Sequence, residues 1–440
     1  MLTMNHAYYD VVIIGSGMAG LYAAHQIKRL APRKTFIILE KNKKHDIGGR
    51  AGNESFYGTD VAIGAGVGRK HKDHRLIQLL KRAKVKCSEF EATRNYIVPF
   101  PPVDIMKTVK HLRAEYKKRP EAYNALTFKQ FFIKVLGEEE YRRFVITSGY
   151  TDYETADTYE TLYKYGMDDN TSGGWTAISI PWTQLVHSLH DMIGNDHFKF
   201  SSEVARITDI ATGPYSSPWY PSARFQIETS SGATYYSSKV VVATTISGVK
   251  KILRSISASS PHLSVSVYQQ IHGQPFLMVY AKFDNASRDI VKQHVQTFTV
   301  VNGPLQKMIP MNPDKGVYMI AYTDNAHAYA LALKGRLENT RKNCDLYAKW
   351  VENALGIQNG PRLSIMAIKS YYWSEGTHYY APLSLSLSGF KTRTEFVRAA
   401  QHPHPGIAVV GEAVSRNQGW VEGALDSVDA VITKDWLDIS

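Results

Sequence analysis

At 440 residues the chain is too long for one ordinary domain and long enough for two that share a large core. Its 52 Lys and Arg against 40 Asp and Glu give a net charge of +12, but they are spread from Lys28 to Arg416 rather than gathered into a basic tail. The run His71 to Lys86 therefore reads as a solvated helix face, and no nucleic-acid partner is expected. Two cysteines far apart, Cys87 and Cys344, exclude a disulfide framework and a cysteine metal site and fit a reducing compartment. Met1 to Tyr9 lacks the apolar run of a signal peptide and no stretch is long enough to span a bilayer, so a soluble, cytoplasmic protein is expected.

In chain order, Val11 to Ile14 is a β-branched run suited to a strand buried on both faces, and Leu21 to Leu30 has helical apolar spacing. Between them lie Gly15, Ser16, Gly17, Met18, Ala19 and Gly20. In a strand-turn-helix unit Gly15 permits the turn, Gly17 lets backbone approach a pyrophosphate and Gly20 lets the helix pack close, with the helix N-terminus facing the phosphate charge. A second strand, Thr35 to Leu39, ends at Glu40 and Lys41, where an acid can bind the adenosine ribose hydroxyls. A bound dinucleotide is expected here.

The turn Gly48, Gly49, Arg50 follows eight residues after Glu40. Together these segments resemble the two-dinucleotide-binding-domain flavoproteins, in which such a turn lies against FAD. The small residues Gly64, Ala65, Gly66 and Val67 come next; the resemblance implies that they pass the isoalloxazine ring. A mostly helical region is expected from Asp104 to about Asp168, with its aromatics in a core. Tyr150 to Tyr165 has no assigned place beyond a cap over a pocket. Two strands around Ser231 and Gly232, then the buried run Val240 to Val242, resemble the return of these flavoproteins to the FAD domain, and imply adenine contacts from Val204. Strands over 274–283, 295–301 and 317–323 and a helix over 341–355 suggest a second sheet.

The strongest signal is near the C-terminus: an apolar strand ends at Gly411 and Glu412, and Gly419, Trp420, Val421, Glu422, Gly423 and Ala424 open a helix. This run resembles the closing motif of the flavin-containing amine oxidases, a family that includes monoamine and polyamine oxidases and related histone demethylases. The resemblance covers both ends of the chain and the middle FAD return, and fades over 104–180. It implies hydride removal from the carbon beside an amine, with O2 or another acceptor reoxidising the flavin. It also implies that Glu412 meets flavin-side hydroxyls, that the Val421 N–H faces the flavin, and that Trp420 and Tyr379 flank the substrate amine.

Two departures stand out. No cysteine lies near His378, so FAD is expected to be bound non-covalently. The position where many relatives carry a lysine is Met278, with Lys282, Lys307 and Lys369 as substitutes to examine.

The expected fold is α/β, a Rossmann-like FAD-binding domain of the two-dinucleotide-binding type over 1–86, 183–270 and 370–440. Interleaved with it is an α+β substrate domain over 87–182 and 271–369, a mixed sheet with helices. The expected function is oxidation of a small-molecule amine. Two alternatives stay open: a C–C dehydrogenase of the protoporphyrinogen oxidase type, and a catalytically weak flavin-binding scaffold.

Overall fold

The computed structural model describes residues 6–439 except 168–173, 212–219, 258–262, 264, 334, 358–361 and 384–388. The strand His6–Ile14 runs parallel to Phe36–Leu39 on one side and to Thr234–Val242 on the other. Phe198–Lys199 extends the sheet beyond Phe36–Leu39; Phe225–Thr229, Val204–Asp209 and Ile407–Val409 extend it past Thr234–Val242. Because side chains alternate along a strand, Val11 and Ile13 enter one core while Val12 and Ile14 enter another. Burying each such side chain contributes roughly 1.5–3 kcal/mol, which is why this short run has no polar residue.

The helices Met18–Leu30, Trp182–Ile193 and Val421–Val431 cover the first face. Ile246–Ser257 and Arg393–Gln401 cover the second. This is an α/β layer structure with Rossmann-like order, as the glycine and strand pattern predicts.

A second sheet places Ile365–Tyr380, Ile271–Phe283, Val317–Asp324, Lys307–Asn312, Phe298–Val301 and Arg94–Ile97 side by side. Asn325–Ala332 and Arg341–Leu355 cover one of its faces. The helices Ile105–Lys118, Phe128–Leu136 and Glu138–Ser148 pack around Phe128, Phe131, Phe132 and Phe144. Those aromatics form a core, as their helical spacing predicts, and a capping box between Thr127 and Gln130 starts the second of these helices.

Strand pairing crosses two of the expected domain limits. Ile365–Tyr380 pairs with Ile271–Phe283 from Ile365 through Tyr380 and crosses the limit set at 370. A strand cannot change sheets in mid-ladder without breaking its hydrogen bonds, so residues 370–380 stay in the second sheet. Likewise Trp175–Ser179 pairs with Gly68–Arg69 and Ser88–Ala92. Ile178, Ile180 and Trp182 join the core that holds Val11 and Ile13.

Candidate active site

Gly17 caps the helix Met18–Leu30 with no side-chain hydrogen bond, leaving first-turn N–H groups for a ligand. The turn before it requires glycine. Gly15 has φ +101°, and a Cβ there would stand 2.6 Å from the Ala243 carbonyl oxygen; one on Gly20 would stand 2.0 Å from the Gly15 oxygen. Gly15, Gly17, Met18 and Ala19 open onto a cavity of about 580 Å³. Ser16 and Gly20 stand one layer behind it. Gly20 packs the helix on the turn, and Ser16 donates to Glu40 Oε2 through its N–H and its hydroxyl, both at 2.8 Å.

The other oxygen of Glu40 accepts from the Asn42 N–H at 2.8 Å. That fixes the acid at the cavity wall with Lys41 beside it. Gly48 donates its N–H to the Ser16 oxygen at 3.0 Å, which docks the Gly-Gly-Arg turn onto the first glycine loop. Gly49 and Arg50 then line the cavity, followed by Gly64 and Ala65, while Val204 lines it beside Glu203.

The chain's C-terminal segment closes the site. Gly411, Glu412, Trp420, Val421 and Ala424 all face the cavity. The helix Val421–Val431 again lacks a side-chain cap, so a second set of helix N–H groups meets the same space. Buried Glu412 accepts from the Gly419 N–H at 3.0 Å, pairs with Arg50 at 3.4 Å and takes a short hydrogen bond from His378. Burial alone would push its carboxyl up, but His378, Arg50 and the Gly419 N–H hold it down at about 2. Arg50 also donates to the carbonyls of Glu375 and Gly376 at 3.0 and 2.7 Å.

His378, named in the sequence only for the absence of a nearby cysteine, also lines the cavity. Its Nε2 accepts from the Ile246 N–H at 3.1 Å, so Nδ1 carries the proton toward Glu412. Both ring nitrogens are thereby engaged.

The other end of the cavity is a face of the second sheet. Met278 stands in register between Tyr322 on one neighbouring strand and Tyr371 on the other, and Phe276 stands opposite Trp373. These five line the cavity with Trp420. Trp420 is held by a hydrogen bond from its Nε1 to Asp73 at 2.9 Å and by an edge contact with Trp182, centroids 5.9 Å apart.

Besides Ser16 and Gly20, three predicted residues fall outside the cavity wall. Tyr379 lies six residues along the strand from Trp373 and stacks on His272 at 5.3 Å; Trp373 and Tyr371, in the same aromatic run, face the cavity instead. The Gly66 carbonyl accepts from Trp182 Nε1 at 2.8 Å, and Val67 is 39 % exposed. The chain turns away after Ala65 because that carbonyl is needed to satisfy a fully buried indole.

None of the three substitute lysines reaches the cavity wall. Lys282 donates to the Lys315 carbonyl, Lys369 pairs with Glu54, and Lys307 donates to the Gly149 carbonyl.

Residues 13–83, which begin at the end of the first strand and hold the glycine turn, acid and Gly-Gly-Arg turn, match the NAD(P)-binding Rossmann-like domain. Across almost its whole length the chain superposes on solved oxidases. A redesigned putrescine oxidase matches with a TM-score of 0.75 at 15 % identity, covering 98 % of this chain and 100 % of that one. Cyclohexylamine oxidase from Brevibacterium oxydans matches at 0.75 and 15 %, covering 98 % and 99 %. The fold is that of the flavin amine oxidases. Wild-type putrescine oxidase bound to putrescine gives 0.73 at 14 %, over 97 % and 98 % of the two chains. In sequence, an uncharacterized protein of Acanthamoeba polyphaga mimivirus is 20 % identical over 507 residues, 97 % of this chain and 93 % of that one.

Within this amine oxidase fold the cavity's charged lining residues are Glu40, Lys41, Arg50, Glu203, Lys251 and Glu412. The wall built by the second sheet is aromatic and apolar. No described helix is long and apolar enough to cross a membrane, and no described cluster of His, Cys, Asp and Glu could hold a metal.

Proposed function

We propose that this protein is an FAD-dependent oxidoreductase that takes hydride from the carbon beside the nitrogen of a small-molecule amine. The observation that carries the reading is one cavity with two chemistries. At one end are two uncapped helix N-termini, Glu40 and Arg50; at the other are Met278, Phe276 and four aromatic rings. An anionic dinucleotide fits the first end, because helix N–H groups and an arginine complement pyrophosphate while Glu40 and Glu412 accept from sugar-type hydroxyls. The flat, glycine-lined passage at Gly64 and Ala65 suits a ring system, since a Cβ on Gly64 would overlap the Arg50 carbonyl at 2.4 Å.

In this reading FAD supplies the two-electron acceptor. Met18 and Ala19 at the first helix, with Arg50, would hold its phosphates; Glu40, Lys41 and Val204 its adenosine; Gly411, Glu412 and the Val421 N–H its flavin half. The cofactor is held without a covalent bond: Cys87 and Cys344 are absent from the cavity lining and both nitrogens of His378 are engaged. Trp420, Trp373 and Tyr371 orient the amine, and the apolar wall excludes water and favours its neutral form, the form that can lose hydride. Met278 puts no ammonium at the flavin, so reoxidation by O2 is slow and another acceptor can serve. The nucleotide side then comprises residues up to about 86, from 175 to 270 and after 380.

Purified protein should be yellow, and acid precipitation should release FAD into the supernatant. Anaerobic mixing with cyclohexylamine, benzylamine or putrescine should bleach it. Bleaching by none of a broad amine panel, with FAD bound, would overturn the C–N assignment.

A further inference from the structure

Behind the aromatic wall lies a buried polar cluster that the proposed chemistry leaves unused. Lys307 is fully buried at the start of the strand Lys307–Asn312. Its ammonium donates to the carbonyl of Gly149, the left-handed residue that ends the helix Glu138–Ser148, where the helix dipole favours a cation. The same Nζ stands 3.0 Å from the ring centroid of Tyr150 and 4.5 Å from that of Tyr322. Those two rings meet edge to face at 6.1 Å, and Tyr322 packs on Phe276 at 5.7 Å.

Two carboxylates accompany the ammonium. Asp324 accepts from the Thr151 N–H at 3.0 Å, the Thr151 hydroxyl at 2.5 Å and Gln306 Nε2 at 3.0 Å. Asp152 accepts from the Tyr165 hydroxyl. A buried ammonium persists only where such acceptors, carboxylates and ring faces replace water. The cluster therefore holds the segment after the helix, Gly149 to Asp152, against the strand Val317–Asp324, and it does so one ring away from the cavity. Tyr150 to Asp152 open the stretch, Tyr150 to Tyr165, whose sequence suggested no more than a cap.

We propose that Lys307 is a positioning residue for the substrate end of the cavity: held between the rings of Tyr150 and Tyr322, its side-chain nitrogen fixes the aromatic wall against which the amine packs. The inference rests on the amine reading for the identity of the substrate, but not for the position of the ring. Lys307 does not touch the substrate; it acts through Tyr322. Removing the amino group frees the Tyr322 ring, widens the wall beside Met278 and leaves the nucleotide end intact.

The test is a double-substitution cycle in the FAD-loaded protein, with Lys307→Met, Tyr322→Leu and the pair. The readout is anaerobic flavin bleaching by benzylamine, with crystal structures of the unmodified and Lys307→Met proteins. Each single change should lower the bleaching rate per unit benzylamine by about tenfold, and the pair should lower it by no more than about twofold further. Flavin content should stay unchanged and the Tyr322 ring should move in the Lys307→Met crystal. Multiplying effects, or a Tyr322 ring in its original place, would overturn the proposal. Should Lys307→Met not fold, Tyr150→Leu removes the nearer ring and leaves the Lys307 nitrogen on the Gly149 carbonyl, and the same coupling with Tyr322→Leu is required. If benzylamine and every other amine fail to bleach the unmodified protein, the amine reading falls, while the two crystal structures still decide the role of Lys307.

Discussion

The two ends of the cavity are made in different ways. The nucleotide end consists of backbone turns and helix N-termini contributed by short contiguous stretches around Gly15, Gly49 and Gly411, and its few side chains are locked by hydrogen bonds. The substrate end consists of side chains standing on one sheet face, drawn from strands about a hundred residues apart in the chain. A site made of backbone is broken by adding atoms. One made of side chains is reshaped by removing them.

The sharpest break should come from Gly20→Val at the nucleotide end. A Cβ there stands 2.0 Å from a backbone oxygen that cannot move without opening the glycine turn, so a loss of about 3 kcal/mol or more and loss of FAD are expected. Thermal melts and flavin absorbance measure both; a yellow, fully stable variant would show that the turn does not carry the cofactor. Glu412→Ala should follow, at about 3 kcal/mol, since it leaves His378 Nδ1 and the Gly419 N–H without their buried partner. Denaturant titration reads that loss.

At the substrate end, Trp420→Ala and Trp373→Ala should slow amine bleaching by roughly 10- to 100-fold with flavin retained, because they orient the reacting carbon rather than anchor the cofactor. Tyr379→Ala, outside the wall, should leave the rate within about twofold on the same argument. Stopped-flow bleaching of the three variants compares them directly, and a strong effect at Tyr379 would move the site along the strand.

A smaller effect concerns the cluster behind the wall. Burial pushes the Lys307 ammonium down to about 7, against the pull of Asp324 and Asp152 and with the push of Arg94. Above pH 7 the folded protein then holds fewer protons than the unfolded chain, whose lysine titrates near 10.4. Stability from this group therefore rises with pH between about 7 and 10, by at most about 1.4 kcal/mol per pH unit. Lys307→Met should remove that slope from unfolding curves recorded over this range, and an unchanged slope would place the charge elsewhere. Last, Met278→Lys should speed the oxygen reaction of bleached protein by severalfold, read by stopped flow, if a cation beside the flavin is what the unmodified chain lacks.

Sequence by itself determined the nucleotide half. A glycine forced by a positive φ, an acid at a strand end and a helix opening on Gly419 to Ala424 are local requirements of backbone geometry, so a few consecutive residues display them. It also separated the aromatics of the helical block from the site, since helical spacing marks a packed face. Tertiary structure alone decided which aromatics face the cavity, because Tyr371, Trp373 and Tyr379 share one strand and only the sheet's position against the glycine loops selects among them. It also decided that Gly66 serves Trp182, that His378 braces Glu412, and that Lys307 meets Tyr150 and Tyr322. Each of these pairings joins residues too distant along the chain for spacing to record, and each is fixed by the need of a buried polar group for a partner.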